Sequence, residues 1–237
     1  MVLAPAVEFD WDILQVDVQT AFLNALVEEE VYIKMAPGCE KKDEKTGVPL
    51  VMRLHKSLYG LRQSPKNWHS TIDTYVIKIG LKALKSDPCV YVYYTDDDSI
   101  NNSTTSTIRK PEAILTRYVD DLTLTGGDKA VLKALKKKLI RRFATTDMGD
   151  ISFILGMQVI RNRENGTLTI SQANYSRSVL EKYGMRECKP VNTPGAGKQL
   201  SLDQPEGNRL NDTEMQRYQA ITGSLIYLDS VRHPLQR

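Results

Sequence analysis

The sequence predicts an α+β fold, in which a sheet carries helices on one face. Strands and helices are mixed along the chain without regular βα alternation. Two apolar strand halves, Ala113–Val119 and Leu122–Thr125, flank Asp120-Asp121, a pattern typical of a β-hairpin with acidic residues at its tip. Asp128–Phe143 then has the apolar spacing of an amphipathic helix. Together these features favour α+β over a regular α/β architecture.

The first third of the chain predicts short strands and one long helix. In order, the predicted elements are the strand Phe9–Val18 with Asp17 near its end, the helical segment Thr20–Leu26, the strands Val31–Met35 and Val51–Leu54 with the loop Pro37–Pro49 between them, and the helix Ser64–Ile79. Ser64-Pro65 suits the start of a helix, because serine can cap and proline fits the first turn. Gly80 fits its end.

The rest of the chain continues this irregular order. The predicted elements are the strand Pro88–Tyr94, an exposed polar loop Thr95–Glu112, the acidic hairpin, the helix Asp128–Phe143, a second hairpin formed by Ile151–Ile160 and Thr167–Ile170, the helix Gln172–Tyr183, the linker Pro190–Asn211 and the short apolar segment Ala220–Leu228. Asp128 is expected to cap its helix.

The composition is that of an ordinary globular protein. The 237 residues are 41% hydrophobic and 26% charged, enough for one large domain or two small ones. A net charge of +3 permits a polyanionic partner without requiring one. The three cysteines lack the spacing of a zinc site and indicate reduced thiols. Because the sequence contains neither a signal peptide nor a membrane-length apolar run, we expect a soluble intracellular protein with no membrane partner.

The adjacent acids Asp120 and Asp121 are the strongest candidates for a functional site. Aspartate is also a common turn residue, so the pair alone is equally consistent with two solvated side chains. Asp17 favours the functional interpretation, because it is a third acid at the end of another buried strand. Neighbouring strands lie about 4.7–4.9 Å apart, so Asp17 reaches the hairpin tip if the two strands pair.

Clustered carboxylates need a proton or a cation. At about 4 Å and an effective dielectric constant near 20, two negative charges repel by roughly 4 kcal/mol. Either one carboxyl group holds a proton or a metal ion neutralises the cluster. Oxygen ligands suit Mg²⁺, and two such ions about 3.5–4 Å apart can clamp the reacting oxygens of phosphoryl transfer. The acids therefore predict a site for two Mg²⁺ ions, with Mn²⁺ as the alternative.

Several segments, taken together, resemble a known family. Gln15–Asn24 is similar to the first catalytic motif of copia-type retrotransposon reverse transcriptases, Leu58–Pro65 with Trp68 to the second, and Tyr118–Asp121 to the third. The downstream segments that resemble the family, in the same order, are Phe153–Met157, Ser171-Gln172 and Gly223–Leu228. The resemblance covers nearly the whole chain.

This resemblance implies a right-hand polymerase with a palm (an antiparallel sheet backed by helices), a partial thumb and truncated fingers. The implied activity is RNA-directed and DNA-directed DNA synthesis, which adds dNTPs to a primer on an RNA or DNA template. Asp17 and Asp120 would be the principal metal ligands, joined by the backbone carbonyl of Val18, and Asp121 would assist. The implied location is a cytoplasmic virus-like particle or the nucleus.

The resemblance also implies contacts with the substrates. Phe22 would be the aromatic wall under the sugar of the incoming nucleotide, where a ribose 2′-OH would collide. Core packing is the alternative interpretation of Phe22. Gln63 would lie beside the nucleotide. Gly60, Tyr118 and Val119 would contact the template–primer.

Two further features each have two interpretations. For Trp68 we favour core packing over base stacking. The basic face of the helix Asp128–Phe143 could contact a nucleic-acid backbone, since phosphate contacts are independent of sequence. We favour a solvated outer face, because the opposite stripe carries the core residues. For His69 we expect a surface or packing role.

The chain departs from the family pattern at both ends. Family members carry a fingers segment before the first motif, with basic residues that grip the triphosphate, whereas few residues precede Asp17 here. Thr145-Thr146 stand where members often have a lysine, and Val231–Arg237 leaves the pattern before any ribonuclease H domain. The expected organisation is a palm with partial fingers in residues 1–150, the end of the palm and start of the thumb or connection in 151–189, and a linker with a truncated connection in 190–237.

Two other functions stay open. The first is a catalytically inactive retroelement fragment that at most binds nucleic acid. The second is a nucleotide cyclase, because some cyclases share the palm architecture and Gly126-Gly127-Asp128 resembles their glycine–acid motif. We consider the cyclase the weaker alternative, since this motif follows the acidic hairpin and begins a helix.

Overall fold

The computed structural model describes residues 2–95, 110–191 and 210–229. The chain forms two compact units. The first consists of Met1–Ile151 and Arg163–Thr167, and the second of Ser152–Asn162 and Leu168–Arg237. Within the described ranges, no helix is both long enough and apolar enough to cross a membrane.

A six-stranded antiparallel sheet dominates the first unit. In chain order, the elements of this unit are α1 (Leu3–Glu8), β1 (Asp12–Val18), the 3₁₀ turn Ala21–Asn24, β2 (Tyr32–Lys34), β3 (Val51–Arg53), α2 (Ser64–Lys78), β4 (Leu81–Ala83), β5 (Val90–Tyr93), β6 (Ala113–Tyr118), β7 (Asp121–Gly126), α3 (Lys129–Arg142) and β8 (Thr145–Asp150). The strand order is β4-β5-β6-β7-β1-β8, and β2 pairs with β3 as a separate ribbon. An antiparallel sheet with helices confirms the predicted α+β class.

Helices α2 and α3 share one core with one face of the sheet. Strand pairing puts Val16 opposite Leu122 and Leu124 opposite Leu115, and all four side chains are fully buried in a single cluster. Side chains directly opposite each other in an antiparallel pair lie on the same face of the sheet. The two helices add to this cluster the buried side chains of Trp68, Ile72, Val76, Leu132, Leu135 and Leu139. The expected arrangement of helices on one face is therefore observed.

The structure confirms the predicted start and end signals of α2, except that Ser64 is not its cap. Pro65 lies in the first turn, and Gly80 follows the helix with a left-handed φ of 104°. Ser64 does not cap the helix, because Gln63 occupies the cap position. Instead the Ser64 hydroxyl donates a 2.6 Å hydrogen bond to the Leu58 carbonyl. The serine therefore fixes the preceding loop to the start of α2.

Helix α3 begins as predicted. The Asp128 carboxylate accepts hydrogen bonds from the backbone N–H groups of Ala130 (2.6 Å) and Val131 (3.3 Å), which satisfies two donors of the first turn. The exposed basic residues of its outer face are Lys129, Lys133, Lys137, Lys138, Arg141 and Arg142. Lys136 forms a 2.7 Å ion pair with Asp147 of β8. The outer face is thus open to solvent, as expected.

Three elements were not predicted, and each lacks a clear pattern of its own. β8 contains Thr145–Asp150, a polar and glycine-containing segment that forms a strand because its backbone pairs with β1. β4 is only three residues long and pairs with β5. α1 precedes β1, so the predicted strand Phe9–Val18 begins three residues too early.

The second unit combines a small sheet with two helices. Its elements are β9 (Phe153–Ile154), β10 (Met157–Asn162), β11 (Thr167–Ser171), whose first residue belongs to the first unit, α4 (Ala173–Lys182) and α5 (Asp212–Asp229). The strand order is β11-β10-β9. The predicted single strand Ile151–Ile160 is interrupted by Leu155 and Gly156, which have left-handed φ values of 49° and 76°.

Two predicted segments and the domain assignment stay predictions. Residues 96–109 of the predicted loop and residues 192–209 of the predicted linker lie outside the described residues. The apolar segment Ala220–Leu228 lies within α5. The assignment of 1–150, 151–189 and 190–237 to palm, thumb and connection is untested.

Two residues of the motif that suggested a cyclase, Gly126 and Asp128, have a structural explanation. A Cβ atom on Gly126 would collide with the Glu112 carbonyl oxygen and lie 3.1 Å from the Ala113 Cα. Gly126 is the β7 residue that pairs with Ala113 of β6, so the absence of a side chain lets the two strands approach. Asp128 caps α3. Gly126 and Asp128 are therefore accounted for by packing and capping.

Gly126→Ala is expected to lower the free energy of unfolding of the first unit by about 1–3 kcal/mol, because the backbone of β6 must move to admit the methyl group. The measurement is urea denaturation followed by tryptophan fluorescence, since both tryptophans, Trp11 and Trp68, lie in the first unit. Gly127→Ala is the matched control. Its Cβ would meet only the Trp11 side chain, at 3.1 Å, which can shift. A loss in Gly127→Ala equal to that in Gly126→Ala would contradict this account.

Candidate active site

The acidic hairpin and β1 bring two predicted site residues into direct apposition. Tyr118 pairs with Asp121 across the β6–β7 hairpin, which leaves Val119 and Asp120 as its turn. On the other side of β7, Asp17 is the direct partner of Asp121. Directly opposite residues have Cα atoms about 4.5–5.5 Å apart and side chains on one face. The predicted pairing of the two acidic strands is therefore observed.

Two hydrogen bonds hold the hairpin turn in a strained conformation. Val119 has a left-handed φ of 54°, which is unfavourable for a β-branched residue. The indole N–H of Trp68 donates a 2.6 Å hydrogen bond to the Val119 carbonyl. The Val18 N–H donates a 2.9 Å bond to the carbonyl of Asp120. Both contacts fix the backbone on which Asp120 sits.

The electrostatics of the site reflect the convergence of its acids. Burial raises the pKa of Asp121, and the charges of Asp120 and Asp17 raise it further. The amide N–H of Gln15 donates a long 3.5 Å hydrogen bond to the Asp121 carboxylate, which lowers that pKa in part. The three carboxylates therefore act on one another, and a cation would relieve their repulsion.

The donor chemistry fits Mg²⁺, although the side chains do not form a complete shell. Among the residues that the structure describes, no group of three or more His, Cys, Asp or Glu side chains is close enough to hold one metal ion. Mg²⁺ is commonly held by one or two carboxylates, with water and substrate phosphates as the other ligands. Asp17, Asp120 and Asp121 are the residues that could supply such carboxylates.

Tyr59 is a site residue that sequence reasoning missed. Its ring centroid lies 4.4 Å from that of Phe22, and the residue is 54% exposed. The pKa of the Tyr59 hydroxyl is raised by burial and by the charges of Asp120 and Asp17, while a hydrogen bond with the Ala21 backbone lowers it. Tyr59 therefore contacts Phe22 and lies near enough to Asp120 and Asp17 for their charges to act on its hydroxyl. The available signal was an aromatic residue directly before Gly60 in the second motif.

The residues predicted to contact the nucleotide or the template–primer differ in their burial and backbone conformation. Phe22 is 8% exposed and belongs to the core cluster, so it packs in the core whether or not it meets a nucleotide. Gln63 is half-buried at the cap of α2. Gly60 has a φ of 99°, which requires glycine. Tyr118 is 62% exposed beside the turn. Their substrate contacts stay predictions.

Trp68 has the packing role that we favoured. It is 1% exposed, and its ring meets that of Phe143 edge-on with a centroid distance of 5.2 Å. Because its indole also donates to the Val119 carbonyl, the residue connects the core to the acidic turn. Base stacking by this buried ring is therefore excluded.

The fold and the site define the class of protein. A family model described as reverse transcriptase (RNA-dependent DNA polymerase) matches residues 1–196, which include the paired acids and both helices of the core. The chain belongs to the reverse transcriptase family.

Its relatives include Pol polyproteins from transposons, which confirms the copia-type resemblance. The chain is 36% identical over 196 residues to the retrovirus-related Pol polyprotein from transposon TNT 1-94 of Nicotiana tabacum, covering 83% of this chain and 14% of the relative. It is 33% identical over 236 residues to the Pol polyprotein from transposon RE2 of Arabidopsis thaliana, covering 99% and 15%. A putative transposon Ty5-1 protein of Saccharomyces cerevisiae is 26% identical over 218 residues, covering 92% and 64%. The chain thus spans about one seventh of the two plant polyproteins.

Trp68→Phe is expected to lower the free energy of unfolding by about 2–4 kcal/mol. The substitution shrinks a buried side chain and leaves the Val119 carbonyl without its donor. Urea denaturation followed by circular dichroism measures the loss. Tyr75→Phe is the matched control, because the Tyr75 hydroxyl also donates to a backbone carbonyl, that of Lys138 at 2.7 Å, but at an exposed position. We expect Tyr75→Phe to cost less than about 1 kcal/mol. Equal losses in the two variants would refute the special role of the Trp68 bond.

Asp121→Asn is expected to stabilise the protein more at pH 7 than at pH 3. A raised carboxyl pKa means that the folded state loses stability as pH rises through that pKa. Asparagine removes this loss and can still accept the Gln15 hydrogen bond. The expected rise in Tm at pH 7 is roughly 1–3 °C.

Asp147→Asn serves as the control of opposite sign. Hydrogen bonds from Lys136 and the Gly149 N–H lower the pKa of Asp147, so its contribution is present at neutral pH and is lost as pH falls. This variant should therefore be destabilised at pH 7 and closer to the original protein at pH 3. A pH-independent difference for Asp121→Asn would contradict the electrostatic account of the site.

Proposed function

We propose that this chain carries the polymerase site of an RNA-directed and DNA-directed DNA polymerase. The observation that carries the proposal is the direct pairing of Asp17 with Asp121, beside the turn that holds Asp120. In this proposal residues 1–150 are the palm with partial fingers, and Asp17 and Asp120 are the main metal ligands. Asp121 assists them, and the Val18 carbonyl is a further ligand. The substrates are dNTPs and a primer on an RNA or DNA template.

In the proposed reaction the protein holds the carboxylates in position, and these supply the negative charge that binds the metal ions. Two bound Mg²⁺ ions would stabilise the attacking and leaving oxygens of an in-line phosphoryl transfer. Asp17 sits on a strand whose neighbours Val16 and Val18 are buried in the core, so its backbone is firmly held. Asp120 sits on a turn fixed through the Val18 N–H and through Trp68. Such rigid placement is what phosphoryl transfer mainly requires of a protein.

The aromatic pair Phe22–Tyr59 is proposed to form the sugar side of the nucleotide site. The pair lies beside the acids, as the effect of Asp120 and Asp17 on the Tyr59 pKa indicates. A rigid aromatic surface there would collide with a ribose 2′-OH and so favour deoxynucleotides. Gln63 is proposed to lie beside the same nucleotide.

A second candidate is a catalytically inactive domain that only binds nucleic acid. It is favoured by the absence, among the described residues, of three carboxylates close enough to hold one ion. In that case the template–primer contacts, including Gly60, Tyr118 and Val119, would persist without synthesis.

Primer extension separates these candidates. The chain is expected to extend a primed RNA or DNA template with dNTPs in the presence of Mg²⁺ and not after chelation. Asp120→Asn should reduce extension by at least about 100-fold, because metal ions supply several kcal/mol of charge stabilisation.

Asp150→Asn is the matched control for this experiment. Asp150 is an exposed aspartate on β8, opposite Leu14 rather than Asp17, so the same substitution there should leave extension unchanged. If a folded preparation binds primer–template equally with and without Mg²⁺ and shows no extension, the inactive candidate is correct.

A further inference from the structure

A cluster outside the acidic site joins β6 to α2. The Arg117 guanidinium, on β6 three residues before Asp120, lies 2.6 Å from Nδ1 of His69 on α2. The same Nη2 atom donates to the Cys89 sulfur at 3.2 Å. The Arg117 backbone N–H also donates to the Cys89 carbonyl at 3.0 Å. The Arg117 side chain therefore connects β6, the first strand of the acidic hairpin, to α2 and to the turn before β5.

The chemistry of this contact fixes the state of His69. A guanidinium group has only donors, so Nδ1 of His69 must be the acceptor and the ring is neutral with its proton on Nε2. The Arg117 Nε atom is buried and has no hydrogen-bond partner among the described residues. The Tyr91 hydroxyl, which donates a 3.0 Å hydrogen bond to the Asp73 carboxylate, is a further partner of Arg117. Losing the His69 acceptor therefore weakens the hydrogen bonding of a partly buried cation.

Adjacent residues of α2 hold two points of the same hairpin. Trp68 donates to the carbonyl of Val119 at the turn, and His69 accepts from Arg117 on β6. The hairpin is therefore held at its tip and along one strand by consecutive positions of a single helix.

We propose that Arg117 is a positioning residue, which holds the acidic hairpin in the position that Asp120 needs for catalysis. Neutral His69 is the hydrogen-bond acceptor that Arg117 requires for this role. This inference rests on the proposed polymerase function. Arg117 does not touch the reacting groups in this proposal. It acts only through the backbone of the hairpin.

Four variants test the proposal. Arg117→Met keeps the aliphatic stem and removes the donors, whereas His69→Leu removes the acceptor. His69→Gln restores an acceptor through its side-chain oxygen. Arg186→Met is the control for loss of an arginine, because Arg186 lies in the second unit with an exposed side chain.

The first measurement is independent of activity. Amide hydrogen exchange reports local opening of a segment. Arg117→Met and His69→Leu are expected to exchange about tenfold faster in residues 113–126, with residues 129–142 of α3 unchanged. His69→Gln and Arg186→Met should match the original protein. Unchanged exchange in Arg117→Met, or an equal increase in α3, would overturn the proposal.

The second measurement separates positioning from substrate binding. In primer extension, Arg117→Met should lower kcat about tenfold while KM for primer–template changes less than about twofold. A rise in KM at constant kcat would show a binding role and overturn the proposal. If the original protein does not extend primers, the polymerase function fails by itself, while hydrogen exchange still decides whether Arg117 and His69 hold the hairpin. Equal damage from His69→Gln and His69→Leu would refute the acceptor role.

Discussion

The pairing of β1 with β7 is the constraint on which the site depends. Val16 faces the core opposite Leu122, and the next residue, Asp17, is therefore directed to the other face, opposite Asp121. Because side chains alternate along a strand, a shift of one residue would move the acid into the core and Val16 out of it. The burial of apolar residues thus selects the pairing, and the position of the acid follows from that register.

This arrangement has a cost that the surrounding structure offsets. Asp121 is half-buried near two other carboxylates, and Val119 holds a left-handed conformation that few β-branched residues adopt. Neither feature stabilises the folded chain. Both persist because the core around Trp68 is rigid and its indole donates to the Val119 carbonyl. Strain and like charges at one turn are typical of sites in which function opposes local stability.

Local patterns predicted much of this fold and site, and long-range contacts explain the rest. The acidic hairpin and α3 were predictable because apolar alternation and the Asp128 cap are signals within short segments. β8 has no such signal, since its polar sequence becomes a strand only through pairing with β1. The apposition of Asp17 and Asp121 was predictable because each acid lies next to the end of an apolar strand. The position of Tyr59 beside Phe22 was not, because it depends on how the loop before α2 folds back.

Helix α2 positions both the loop that carries Tyr59 and the acidic hairpin. Its first residues hold the loop that carries Tyr59, since Ser64 donates to the Leu58 carbonyl and the Asn67 side chain donates to the hydroxyl of Ser57 at 3.2 Å. One turn further on, Trp68 holds the acidic hairpin. The loop and the acids are therefore positioned by the same short segment of helix. The face that carries Trp68 continues through Ile72 and Val76 into the core. A displacement of this segment would move both together, so the distance between the aromatic surface and the acids is set by one rigid element rather than by two independent loops.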